Sequence, residues 1–155
     1  MNIFVVDTDP TVAGTVLCDK HIVKMPLETA QLLCTAVNEY GGESPYKSTH
    51  VNHPCAVWAR TSWHNFMWLC THGQALCWEY RARYGRRHKC HDVIDHCRKV
   101  GRWLMPYHVG RTPHPQCMPD EYHHTDVVTA YRQYYQGDKA YMATWKQNMP
   151  EWWNR

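Results

Sequence analysis

Between His53 and Tyr84 the chain keeps one apolar face at spacings that alternate four and three: Ala59, Trp63, Phe66, Cys70, Gly73, Cys77, Tyr80 and Tyr84. That period belongs to an α-helix and excludes a strand, whose side chains change face at every residue. His53-Pro54 supplies a start with proline in the first turn, and Gly85 supplies a stop, so a single long helix is predicted over this span. The rest of the chain has to pack around it.

Upstream, Asn2 to Val6 is a short apolar run of strand or extended type, and Asp7-Thr8-Asp9-Pro10 follows with Thr8 or Asp9 as N-cap and Pro10 at the first helical position. Helical periodicity then continues to Tyr40 and stops at Gly41-Gly42. Pro26 removes one backbone hydrogen bond, which predicts a kink or a split into Thr11 to Lys24 and Leu27 to Tyr40. A third helix is expected over His91 to Trp103. The stretch MPYHVGRTPHPQCMPDEYHH carries four prolines and is expected as a long, functional loop. One or two short helices broken at Gly137 and an aromatic tail complete an all-α fold. With 155 residues the expectation is one compact domain over 1–155, with three main helices and long loops.

Apolar types make up 44% and charged types 20%, and no run is long enough to cross a membrane. The run Ile3 to Val6 is too short for a signal peptide, so a soluble, cytosolic protein is expected. The eight cysteines show no CxxC pair and lie in helical patterns, as small core residues do. Net charge is only +3, yet eight of the seventeen Lys and Arg fall between Arg81 and Arg102. Such a band fits either an anionic partner or a solvated helix end near its C-terminal dipole.

On a helical wheel, His21, Lys24, Glu28, Gln31 and Thr35 form a polar stripe on an otherwise apolar helix. Facing a cleft, a carboxylate in that stripe is partly desolvated and suited to acid–base work. Facing water, Glu28 and Lys24 make an ordinary ion pair four residues apart. Further on, His50, Asn52 and His53 stand before a helix start, where backbone N–H groups bind phosphate, with Trp58 and Arg60 one turn in. The cluster suits a DNA backbone and a displaced base, but helix capping by Asn52 and a core Trp58 account for it equally.

The run from Asp19 to Glu28, with its D-x-H start and a glutamate seven residues after the histidine, resembles the first helix of the phage pyrimidine-dimer DNA glycosylases of the endonuclease V type. The order of the other parts is also similar: a loop ending in His53, a long aromatic and basic helix, a third helix, and a C-terminal aromatic segment, AYRQYY. The resemblance implies an all-α fold with the amino terminus threaded between helices. It also implies a DNA glycosylase with AP lyase activity on damaged or modified pyrimidines. In that chemistry an N-terminal amine of Met1 or Asn2 attacks C1′ of the damaged nucleotide, Glu28 assists, and His21 precedes it on the same helix. Lys20, Lys24, His50, Asn52, His53, Arg60, Arg83, Arg86 and Arg87 then contact double-stranded DNA, and Trp58 stacks on a base, with Trp63 and Trp68 as further candidates. A monomer needing neither cofactor nor metal is implied, in the host cytosol if phage-encoded.

The chain departs from the family in three ways. Met1-Asn2 stands where the family has Met-Thr, so methionine is expected to stay. The segment before His21 is several residues longer, and Leu27 and Thr29 replace arginines beside the glutamate. If the amine at the terminus is not the nucleophile, Lys24 is the stripe residue able to form a Schiff base. Competing readings are a non-catalytic DNA- or nucleotide-binding protein on the same scaffold, an enzyme cleaving the N-glycosidic bond of a modified nucleotide, and a zinc site at His88, Cys90, His91, His96 and Cys97, whose spacing lacks the usual paired ligands.

Overall fold

The computed structural model describes residues 1–153, and among them every regular element is helical. In chain order these are α1 (Pro10–Thr15), α2 (Asp19–Glu39), α3 (Pro54–Thr61), α4 (Trp63–Tyr84), α5 (His91–Gly101) and α6 (Val127–Asp138), with short 3-10 turns at Asp120–Tyr122 and Ala140–Met142. Helix α4 is the central post: α1, α2, α3 and α5 all pack against it. The face proposed for it is inside, with Phe66, Cys70, Gly73, Cys77 and Tyr80 buried and Trp63 and Tyr84 at its margins.

Two expected break points move. The first helix is interrupted at Val16 to Cys18, not at Pro26, which is buried inside a continuous α2. The cause is competition for backbone donors. Cys18 N–H is taken by the Tyr135 hydroxyl at 3.0 Å and Asp19 N–H by the Thr144 carbonyl at 2.8 Å, so neither bonds back into α1. The carbonyls at the end of α1 are taken too, Thr15 by Arg83 and Val16 by the Trp145 indole. These partners lie far along the chain. The expected long helix likewise divides at Ser62, whose extended backbone (φ −150°) turns α3 into α4 and whose hydroxyl caps Asn65 N–H at 3.0 Å. The Pro106 carbonyl accepts from Trp63 N–H at 2.7 Å and holds the joint in place.

The third helix ends at Gly101, short of Trp103. Gly137 does not break α6, which runs through it to Asp138. Tyr40 ends α2, and Gly41 follows at φ 79° with Gly42 N–H returning to the Val37 carbonyl; Gly85 closes α4 at φ 70°. The eight cysteines are all free, and all but the half-buried Cys117 are buried. Asn2 to Val6 forms no regular element and runs through the interior, Val6 N–H turning back to the Phe4 carbonyl at 3.0 Å, with Ile3, Phe4, Val5 and Val6 in the same buried cluster as residues of α2, α4 and α6. That threading positions the site.

Candidate active site

Burying Ile3 to Val6 fixes the amino terminus in register, and Asn2 locks it. The Asn2 side chain donates to the Cys117 carbonyl at 2.8 Å while its Oδ1 accepts from Ile3 N–H and from the Tyr131 hydroxyl, each at 2.8 Å. The terminal nitrogen of Met1 is thereby delivered to 3.2 Å from Glu28 Oε1. Lys24 Nζ lies 3.6 Å from the other oxygen of the same carboxylate. The Met1 side chain and the Glu28 carboxylate are enclosed, and Met1 as a whole is half-buried, whereas the Lys24 side chain is 69% exposed and reaches outward.

These groups line a cavity of about 230 Å³ with Phe4, His21, Tyr134 and Lys139. Opposite charges thus meet at its floor, and two lysines flank it. His21 stacks on Phe4 at 4.3 Å between ring centroids, and its Nδ1 pairs with the Tyr135 hydroxyl at 2.7 Å. Burial first, then the charges of Lys139 and Lys24, push its pKa down to about 3. It is a neutral ring throughout the physiological range, which supports the wall of the cavity and carries no charge. Burial, the terminal ammonium and His50 also lower the pKa of His53.

The stripe on α2 is therefore divided. His21, Glu28 and Thr35 are buried, Gln31 is half-buried, and Thr35 is spent on the Thr49 backbone. Val23 and Leu27, expected to be enclosed, are exposed and border a neighbouring groove with Lys24, Arg86, Arg87 and Lys89. Lys24 belongs to both the groove and the cavity, which joins them into one surface.

Other expected contacts lie elsewhere. The Arg83 side chain is fully buried, bonded to Asp19 at 3.0 Å and to Glu79 at 2.8 Å, so it ties α4 to α2 and offers nothing to a phosphate. Trp58 is buried against His114 and Trp68 with its indole N–H on the Thr112 carbonyl, which makes it a core residue with no face for a base; Trp68 is buried as well, and Trp63 is half-buried against Tyr107. Arg60 clamps the Val51 carbonyl at 2.7 Å. His53, not Asn52, caps α3, its Nδ1 accepting from Cys55 N–H. His50 and Asn52 are exposed at the same turn, His50 at φ 50° and bonded to Thr49, and Lys20 is exposed on α2. Arg86 bonds to the Tyr80 hydroxyl and no carboxylate among the described residues pairs with it, while Arg87 is held by Asp92 at 2.7 Å. The cluster at 88–97 disperses: His88 goes to the Val23 carbonyl, Cys90 to Tyr46, His96 to the Glu43 carbonyl and Cys97 to Cys34.

A family model described as pyrimidine dimer DNA glycosylase matches residues 1–92. The chain belongs to that family. No curated protein and no solved structure matches it. In this pyrimidine-dimer DNA glycosylase family member, the matched span holds the threaded terminus, Glu28, Lys24 and α4. Beyond it lie Cys117, Tyr134 and Lys139, which complete the cavity. Those three were not singled out from the sequence. The segment AYRQYY was the available signal, and its Tyr131 and Tyr135 hold Asn2 and His21.

Proposed function

We propose that the protein is a DNA glycosylase with AP lyase activity, in which the terminal amine of Met1 is the nucleophile and Glu28 its proton partner. The observation that carries this reading is the 3.2 Å contact between that amine and a buried carboxylate on the floor of a cavity open to a basic groove. The ammonium passes a proton to Glu28, and the freed lone pair attacks C1′ of the damaged nucleotide. As the N–C1′ bond forms, the glycosidic bond breaks and the base leaves with its electron pair, and Glu28 passes its proton on to the departing base through water. A proton then moves from the adduct nitrogen to O4′ as the sugar ring opens to an iminium, and the regenerated Glu28 carboxylate takes a C2′ proton as the 3′ phosphate is expelled. A cavity of about 230 Å³ holds a sugar more readily than a whole dimer, so the base is expected to sit outside it. Extruding a nucleotide costs a few kcal/mol, least for a damaged pair.

Lys24 and Lys139 stand where they neutralise phosphates beside the reacting sugar, and Lys20, Arg86, His50 and Asn52 supply exposed contacts for the duplex. Leu27 and Thr29, beside Glu28, favour a second reading in which the same chemistry acts on a modified pyrimidine in place of a photodimer. Incubation with ultraviolet-irradiated, abasic and untreated duplexes separates the possibilities. Nicks in the first two and none in the third are expected. Cleavage of abasic DNA alone selects a modified-base substrate, and binding without cleavage of any duplex contradicts the enzyme.

A further inference from the structure

His53, Cys55 and Cys117 bring one ring nitrogen and two thiols within 4.8 Å of one another, next to the catalytic cavity. They come from separate parts of the chain: the cap of α3, its first turn, and the proline-rich loop. The two sulfurs are 3.6 Å apart. In a tetrahedral zinc site with Zn–S of about 2.3 Å and Zn–N of about 2.0–2.1 Å, donors stand roughly 3.4–3.8 Å from each other. The thiols are already at that separation, and the histidine needs to close by about an ångström. His53 Nδ1 accepts a hydrogen bond from Cys55 N–H at 3.1 Å, so it is unprotonated with its lone pair spent on capping α3, and a cation takes that nitrogen by displacing the cap.

The geometry points to a binding site for a thiophilic divalent cation, zinc above all, held by His53, Cys55 and Cys117. Two soft sulfurs and one imidazole select this class over magnesium or calcium, which take oxygen. Binding displaces the two thiol protons to solvent and leaves a fourth position open. The terminal ammonium lies close enough to act through space on all three residues, and Met1 and Cys117 line the same cavity. Cys34 and Cys97 form a similar pair, with sulfurs 3.5 Å apart, but no third donor joins them among the described residues. That pair is an internal control.

One consequence rests on the proposed amine nucleophile: a cation bound here takes up the amine or repels its iminium, and zinc is then an inhibitor. Metal binding itself is independent of that reading and is tested without activity. Cobalt(II) is titrated into the full chain under a non-thiol reductant. A single equivalent is expected to give near-ultraviolet thiolate-to-cobalt absorption and intense visible bands of tetrahedral cobalt. Both are expected to be lost in Cys117→Ser and weakened in His53→Asn, which retains a capping side chain. On the wild-type protein, zinc is expected to protect the half-buried Cys117 from alkylation, read by peptide mass spectrometry, and to leave the Cys34 and Cys97 peptides unchanged. Absence of the thiolate band, its survival in Cys117→Ser, or undiminished alkylation of Cys117 in the presence of zinc overturns the site.

Discussion

Glu28 meets two cations at once, Met1 N at 3.2 Å and Lys24 Nζ at 3.6 Å, and it is the group the proposed chemistry depends on most. Glu28→Gln keeps the shape and removes the proton acceptor, so cleavage of abasic duplex is expected to fall at least about a hundredfold, the range for acid–base groups, with DNA affinity retained. Normal turnover in a protein of lower thermal stability would instead make Glu28 a structural ion-pair partner. The stripe containing this residue was visible in the sequence because helical spacing aligns 21, 24 and 28. Which members face the cavity was not. That depends on Phe4, from the threaded terminus, stacking over His21 and on Tyr135 bonding to it across 114 residues of chain, contacts that no local pattern encodes.

At the scale of elements, the groove between α2 and the segment joining α4 to α5 carries the charge proposed to face DNA. Its two arginines are not equivalent, since Arg87 is tied to Asp92 while Arg86 rests on Tyr80 with no carboxylate partner among the described residues. Arg86→Glu is therefore expected to weaken duplex binding uniformly across sequences and to reduce the salt slope by about one unit, with a smaller effect from Arg87→Glu. Equal affinities and slopes for both variants and the parent would remove this groove from the DNA interface. Helix existence was legible from period and punctuation: Pro10, Pro54, Gly41 and Gly85 all stand where caps were expected. The internal joints were not. Proline at 26 looked like a break, but the donors at Cys18 and Asp19 were drawn away by Tyr135 and Thr144, and the joint formed there. Ser62 is an ordinary cap residue whose signal was masked by the unbroken apolar face across it.

For the molecule as a whole, three buried neutral histidines tie stability to pH. Burial lowers His21 and His114 to about 3 and His72 to about 4, from an ordinary value near 6.5. Below about 6.5 the unfolded chain takes up protons that the folded chain refuses, so stability is lost as pH falls from there toward 3–4 and is unaffected by these groups above it. Together they are worth on the order of several kcal/mol by pH 4.5, and at about 2–4 °C per kcal/mol the melting temperature is expected to drop by more than about 10 °C from its value at pH 7.5. Melting curves that coincide at the two pH values would show that these rings protonate freely in the fold. All-α architecture was readable in advance, and so was a terminus threaded through the core, through the family resemblance and the apolar run Ile3 to Val6. The contribution of the C-terminal third was not, because Cys117, Tyr134 and Lys139 reach the cavity from a loop and a helix whose placement only packing determines. Borohydride trapping on abasic duplex followed by peptide mapping tests the identity of the nucleophile directly. One covalent adduct is expected, on the amino-terminal peptide at the α-nitrogen, lost when that nitrogen is acetylated. An adduct on the Lys24 or Lys139 peptide, or undiminished trapping by the acetylated protein, would contradict that assignment.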